Sequence, residues 1–381
     1  MNTLTPVRPS AAKSARNMGI ELLRIVSMLM VVTLHCLSFG GILDAAPSGS
    51  AAYHAAWLLE CACYGAVNIY GLITGYACIR ARHKSGRLFQ LWLEVVFVLL
   101  VCTVIFVFIP HGFSWKELLR ALLPVAFYRY WYFSAYFFLF FFIPSLNAAL
   151  TRITRCQHRA LIAATVGTAV LFNAAACVMG GDIFHIMDGY SPLWLVCLYL
   201  IGAYLRLYPE DTQRIPSAAL AGTFVLCTAA AWASRLVILR MDHFGGYVRD
   251  MALIQYNSPL ILAAAAALVI LFARIPIRGE KAGRVIRLFS ASSFGVLIIH
   301  LEENFLRYFL VGRLVPLLDL PWFGMIAGVA GAALVLYLFC TLLSLLQQLL
   351  FRLMHIPQMC DALTGRISAL AVRLGLADKE E

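Results

Sequence analysis

Charge is scarce in this chain. Only 13% of its 381 residues are Asp, Glu, Lys or Arg, against roughly 25% in an ordinary soluble domain. No polar stretch is long enough to form a separate soluble catalytic domain, so any chemistry must lie in the apolar body or on its short loops. Acids are the rarer sign, with 19 Asp and Glu against 30 Lys and Arg. Cys-x-x-Cys pairs are absent, and nearly all of the eleven cysteines lie in apolar runs, where a thiol behaves as a small hydrophobe. Neither a disulfide framework nor a zinc site is expected, and no metal is called for. No period marks a solenoid, and no inverted repeat of the transporter kind is visible.

Apolar residues make up the rest of the pattern: 62% of the chain is hydrophobic and the mean hydropathy is +0.83. The apolar runs predict ten membrane spans, at about 19–40, 52–79, 88–109, 130–150, 160–180, 193–207, 218–239, 258–273, 288–310 and 322–350. The first run is longer than the apolar core of a signal peptide and is read as a span. A short amphipathic piece is expected at 115–129. The expected fold is all-α, a polytopic membrane bundle of about ten transmembrane helices. Residues 1–18 form a disordered cytoplasmic tail, 19–350 the transmembrane domain, and 351–381 a cytoplasmic tail. Leu363, Ile367, Leu370 and Leu374 give that last tail an apolar face that lies partly on the membrane.

An even number of spans puts both termini on one side. Of the 30 basic residues, 22 fall in the tails, loops and helix ends of the N-terminal side and 8 on the other. The positive-inside rule therefore makes both termini cytoplasmic. The net charge of +11 is read the same way, as a topology signal and a surface for anionic lipid or phosphate, with no nucleic-acid partner implied.

Within the first apolar run stand Glu21, Arg24 and His35. Arg24 and His35 are eleven residues apart, close to three helical turns, so they share a face about 16 Å apart along the axis. A charge in hydrocarbon is expensive, so such groups turn toward a protein-lined cavity. Glu21 and Arg24, at i and i+3, are spaced to pair, and such a pair alone could merely anchor the helix. Of nine histidines, only His35 and His300 lie well within apolar runs. An isolated histidine there is often only a polar core residue. The second span ends Thr74-Gly75-Tyr76 and runs into the basic turn containing Arg80, Arg82 and Arg87. Alone, that ending reads as helix packing.

Taken together these features resemble the acyltransferase 3 family of bacterial membrane proteins, which O-acylate polysaccharides and other surface molecules. The family hallmark, an arginine, ten residues and a histidine in the first span, corresponds to Arg24 and His35. Thr74-Gly75-Tyr76 resembles the family's Ser-Gly-Tyr or Ser-Gly-Phe ending, with threonine for serine. Trp131-Tyr132-Phe133 with Pro144 resembles its aromatic fourth span, and Ser292-Ser293-Phe294-Gly295 to His300 its late span ending in histidine. The resemblance implies an O-acyltransferase in the bacterial inner membrane, most simply an O-acetyltransferase. Its donor would be cytoplasmic acyl-CoA and its acceptor a glycan or lipid-linked glycan. On that reading His35 is catalytic, as general base or transient acyl carrier. Glu21, Arg24, Arg80, Arg82, Arg87, Thr74, Tyr76, Trp131 and His300 line the substrate path, the arginines meeting CoA phosphates. The competing class is a membrane transporter or ligand-binding domain for a small polar solute, as in related domains fused to racemases. It would use the same polar groups as lining, and the basic mouth favours the enzyme.

Overall fold

The computed structural model describes residues 16–81, 83–179, 185–240, 251 and 253–374, and its described residues are helical with no β-strand. The main helices are α1 (Met18–Ser38), α2 (Ala51–Tyr64), α3 (Ala66–Cys78), α4 (Ser85–Thr103), α5 (Trp115–Leu122), α6 (Trp131–Leu150) and α7 (Arg155–Met179). They continue as α8 (Pro192–Leu207), α9 (Ser217–Arg240), α10 (Pro259–Ala273), α11 (Glu280–His300), α12 (Glu303–Phe309), α13 (Trp322–Leu353) and α14 (Ile356–Arg373). Each of the ten expected spans is helical. Among the described residues, seven stretches are long and apolar enough to cross a membrane: α1, α2 with α3, α4 with its extension to His111, α6, α9, α11 and α13. α8 and α10 are apolar but shorter.

Three boundaries differ from expectation. The second span bends at Gly65, which lies against Ile261 and Ala265 of α10 and divides α2 from α3. The α-helix of the third span stops at Thr103 and continues as a π-helical stretch, Val104–Phe108. The ninth span, expected to reach 310, stops at His300; Glu302 then caps a new short helix, accepting hydrogen bonds from the amides of Asn304 (3.0 Å) and Phe305 (2.9 Å). A carboxylate capping the next helix is a strong local stop for the one before it. Residues 1–15 of the expected N-terminal tail and 375–381 of the C-terminal tail lie outside the described residues.

α1 is the central strut. It packs against α2, α3, α10, α11 and α13. Its start is fixed by Asn17, whose side-chain oxygen accepts from the amides of Gly19 (3.0 Å) and Ile20 (3.2 Å) while its Nδ2 donates to the carbonyl of Ala273 (2.7 Å). The cap thus satisfies orphan helix donors and ties α1 to the end of α10. Its far end is held by the turn after α12, where the amides of Gly312 and Leu314 donate to the carbonyls of Phe39 (2.9 Å) and Gly40 (3.1 Å). Ser50, Ser191 and Ser258 cap α2, α8 and α10 in the same way. α14 lies against α4 with Leu363, Ile367, Leu370 and Leu374 exposed, the face expected from the sequence.

α3 and α8 meet backbone to backbone. A Cβ on Gly75 would run into the Tyr199 carbonyl, and one on Gly202 into the Leu72 carbonyl. Such small-residue crossings carry helix association in membranes, because the close approach gives dense van der Waals contact. Gly202→Val is expected to destabilise the protein by about 1–3 kcal/mol through overpacking, read as a lower melting temperature in detergent. An unchanged midpoint would refute the backbone contact.

Candidate active site

The site is built where α1 and α11 run side by side. Two polar contacts join them. Near the start of α1, the Ser290 hydroxyl donates to the Glu21 carboxylate. Near its end, His35 Nδ1 lies 2.9 Å from His300 Nε2. The ring centroids are 5.1 Å apart and tilted by 40°. His300 is fully buried and is the last residue of α11. His35 is partly buried, one turn from the end of α1, with Phe39 against its ring at 5.4 Å.

The hydrogen-bond chain fixes the protons of this pair. His300 Nδ1 is 2.6 Å from the carbonyl oxygen of Val296. A carbonyl only accepts, so Nδ1 of His300 carries a hydrogen. In a neutral imidazole the other nitrogen is then a lone pair. His300 Nε2 therefore accepts, and His35 Nδ1 must be the donor. That leaves His35 Nε2 as the unprotonated nitrogen outside the hydrogen bond between the rings, a base or nucleophile whose ring is oriented by a second histidine. Glu303 and Asn304 follow His300 at i+3 and i+4, a helical spacing that would let them orient its ring. The structure gives that role to Val296, while Glu303 pairs with Arg129 (2.7 Å) and Asn304 with Glu302 (3.2 Å).

Arg24 sits on the same helical face as His35, and its guanidinium is 3.4 Å from Glu21. The expected pair is present, and Ser290 adds a third member. The Arg24 carbonyl accepts from the Tyr70 hydroxyl at 2.7 Å. Tyr132 and Tyr136 of α6 lie within electrostatic reach of Arg24. Thr74 donates to the Tyr70 carbonyl (2.8 Å) and touches Tyr132, so it belongs to this wall. Trp131 opens α6 and joins a group of rings, 4.6 Å from Tyr190 and 5.9 Å from Tyr256.

The remaining expected residues are not gathered at the histidine pair. The Tyr76 hydroxyl accepts from Arg206 Nη1 (3.2 Å) and Asn17 Nδ2 (3.5 Å) at the other end of α1. Arg80 and Arg87 are exposed at and beyond the end of α3. Arg82 lies outside the described residues.

Two features had no clear sequence signal. Tyr130 donates from its hydroxyl to the carbonyl of Ile298 (2.8 Å), and neighbouring Arg129 bridges buried Glu302 (3.6 Å) and exposed Glu303. Together they latch the start of α6 onto the last turn of α11. Beside this latch is a cavity of about 240 Å³, lined by Thr103, Glu117, Arg120, Arg129, Glu303 and Asn304. The only hint in the sequence was the run Arg129-Tyr130-Trp131, polar at one end of an aromatic span.

Removing Arg24 strands the buried Glu21 carboxylate. Arg24→Ala is expected to lower stability by roughly 1–3 kcal/mol, and adding Glu21→Gln should restore most of it. Thermal midpoints of the single and double variants check this; a double variant no better than Arg24→Ala would show that the pair is not coupled.

A family profile described as an acyltransferase domain matches residues 17–345, nearly the whole chain. No curated protein and no solved structure matches it.

Proposed function

The chain belongs to that acyltransferase family, and from this premise we propose that it carries an acyl group, most simply acetyl, from cytoplasmic acyl-CoA to a hydroxyl of a surface glycan or lipid-linked glycan. The proposed setting is the bacterial inner membrane. Residues 19–350 form the transmembrane domain, and the segments 1–18 and 351–381 are cytoplasmic. The 22-to-8 partition of basic residues supports that orientation.

The observation that carries the reading is the lone pair left on His35 Nε2 by the chain Val296–His300–His35. As the acceptor hydroxyl attacks the thioester carbonyl carbon, its proton passes to His35 Nε2. The tetrahedral intermediate collapses with cleavage of the carbon–sulfur bond, and the departing sulfur takes the proton back. The products are an ester and the free thiol of CoA. His300 keeps the His35 ring in the required tautomer and accepts the Nδ1 hydrogen while His35 is positively charged, as an orienting third group does in a catalytic triad. The same nitrogen would also serve as transient acyl carrier, with an acyl-imidazole preceding attack by the acceptor.

Arg24 lies about 16 Å from His35 along the axis, a distance suited to the long arm of CoA. With exposed Arg80 and Arg87 toward the N-terminal side, it offers cations for the phosphates. Glu21 holds the Arg24 guanidinium in place, and Thr74 belongs to the wall between the two ends.

His35→Ala is expected to lower turnover of acetyl-CoA by about 10²–10⁴-fold, the usual size of a general acid–base contribution, with the protein still folded and inserted. His300→Gln should lower kcat by about tenfold or more while leaving KM for the donor near wild type. Arg24→Ala should instead raise KM for acetyl-CoA. Steady-state kinetics normalised to folded protein reads all three. Wild-type turnover by His35→Ala would overturn the catalytic assignment and leave the polar groups as a transport path.

Topology is open to a separate check. Reporter fusions within 45–50 and 184–190 are expected to give an outside signal. An inside signal at either would sink the topology.

A further inference from the structure

With Arg235 set aside, eleven buried side-chain nitrogen and oxygen atoms of the described residues lack a hydrogen-bond partner, and eight of them come from α2, α9 and the turn before α10. Leaving one such group unpaired in a low-dielectric interior is costly, and each calls for a bound water, an ion or a ligand to account for it. Eight in one region are not random packing faults. Asn257 is fully buried with both amide atoms unpartnered. Glu60 Oε2 and Gln255 Oε1 are unpartnered in residues only 5% and 4% exposed. The indole nitrogens of Trp57 and Trp232 and the His54 Nδ1 continue the group along α2 and α9. His54 and Trp232 face each other at 6.0 Å.

Aromatic rings cover one side of these groups. Tyr64 and Tyr256 are 4.9 Å apart and both lie within electrostatic reach of Glu60. Tyr190 packs on Tyr256 at 4.8 Å, and Trp131 packs on Tyr190. Tyr256 and Tyr64 are buried, whereas Tyr190 and Trp131 remain partly accessible, so the wall grades from a closed floor to an open rim. Trp131, Tyr190 and Tyr256 all stand at or just before the start of a helix: α6, α8 and α10. Tyr130, one residue before Trp131, is bonded to the last turn of α11, which ends in His300. The rim therefore lies at the end of the bundle that holds the histidine pair.

The chemistry of the group selects its ligand. It mixes amide and indole donors with carboxylate and amide acceptors. The guanidinium of Arg235 lies over the Trp57 ring at 3.6 Å, held as a cation–π partner. A phosphate would call for convergent cations. A neutral ring bearing several hydroxyls, with an apolar face for the tyrosines and tryptophan, fits both halves of the site.

We propose that Glu60, Gln255 and Asn257, beneath the aromatic wall of Tyr256, Tyr190 and Trp131, bind one neutral pyranose unit of the acceptor. This inference rests on the acyl-transfer reading above, for which it names the acceptor subsite.

The test uses the full-length protein in detergent and four probes, the methyl pyranosides of glucose, galactose, mannose and N-acetylglucosamine. Tryptophan fluorescence reads sugar binding, and calorimetry with acetyl-CoA reads donor binding in the same preparation. At least one probe is expected to change the fluorescence saturably in the millimolar range. Asn257→Leu is expected to weaken that binding by about tenfold or more, equivalent to losing one buried hydrogen-bonding group, with donor binding intact. Gln255→Met provides a second variant in case Asn257→Leu does not fold, and the same weakening is expected. No response to any of the four sugars, or wild-type binding by both variants, would overturn the site and leave it a water-filled polar core. Sugar binding without any acetyl-CoA binding or turnover would instead sink the acyl-transfer reading and leave the sugar site standing.

Discussion

A hydrogen bond between two imidazoles, His35 and His300, is the contact on which the arrangement of this bundle turns. It joins helices 265 residues apart in sequence, and its geometry depends on events outside the pair. His300 donates to the Val296 carbonyl, one turn back on its own helix. α11 ends at His300 because Glu302 caps the next helix. Glu302 is in turn held by Arg129, and Tyr130 grips Ile298. A helix terminus, an ion pair and a tyrosine hydroxyl together determine which nitrogen of His35 is left with a lone pair.

Polar groups in this apolar protein are arranged by height. At one end of α1 stand Asn17, Glu21 and Arg24, with Tyr76 and Arg206 nearby. At the other stand the histidine pair, the Arg129 latch and the rings around Trp131. Buried charge is tolerated where partners are supplied, as Ser290 and Arg24 are for Glu21. Grouped unpartnered atoms, as around Asn257, mark a place whose partners come from outside the fold. α3 and α8 cross backbone to backbone at Gly75 and Gly202. The crossing makes a rigid wall from which the Tyr70 hydroxyl reaches the Arg24 carbonyl of α1.

Much of this was legible in order along the chain. Apolar runs marked helical segments along the chain, seven of them long and apolar enough to cross a membrane among the described residues, because a backbone in hydrocarbon must satisfy its own hydrogen bonds and helices do so locally. The eleven-residue spacing of Arg24 and His35 gave a shared face, because helical pitch is a local property. The Glu21–Arg24 pair followed from i, i+3 geometry, and Gly75 from the need for close approach. Helix ends were less legible. The break at Gly65, the π-helical turn after Thr103 and the stop at His300 depend on neighbours remote in sequence, and an unbroken apolar run carries no mark of them.

The sequence by itself determined that this is a helical membrane protein with polar groups on one face of its first span, since composition and pitch require no knowledge of the rest of the fold. Only the tertiary structure decided which residues meet. It brought His300 to His35 and sent Tyr76 to Arg206 at the far end. It also set Glu60 within electrostatic reach of Tyr64 and Tyr256. The physical reason is the same in each case. A side chain's partner in a bundle is set by which helices pack and at what height, and that choice is made by contacts between segments hundreds of residues apart.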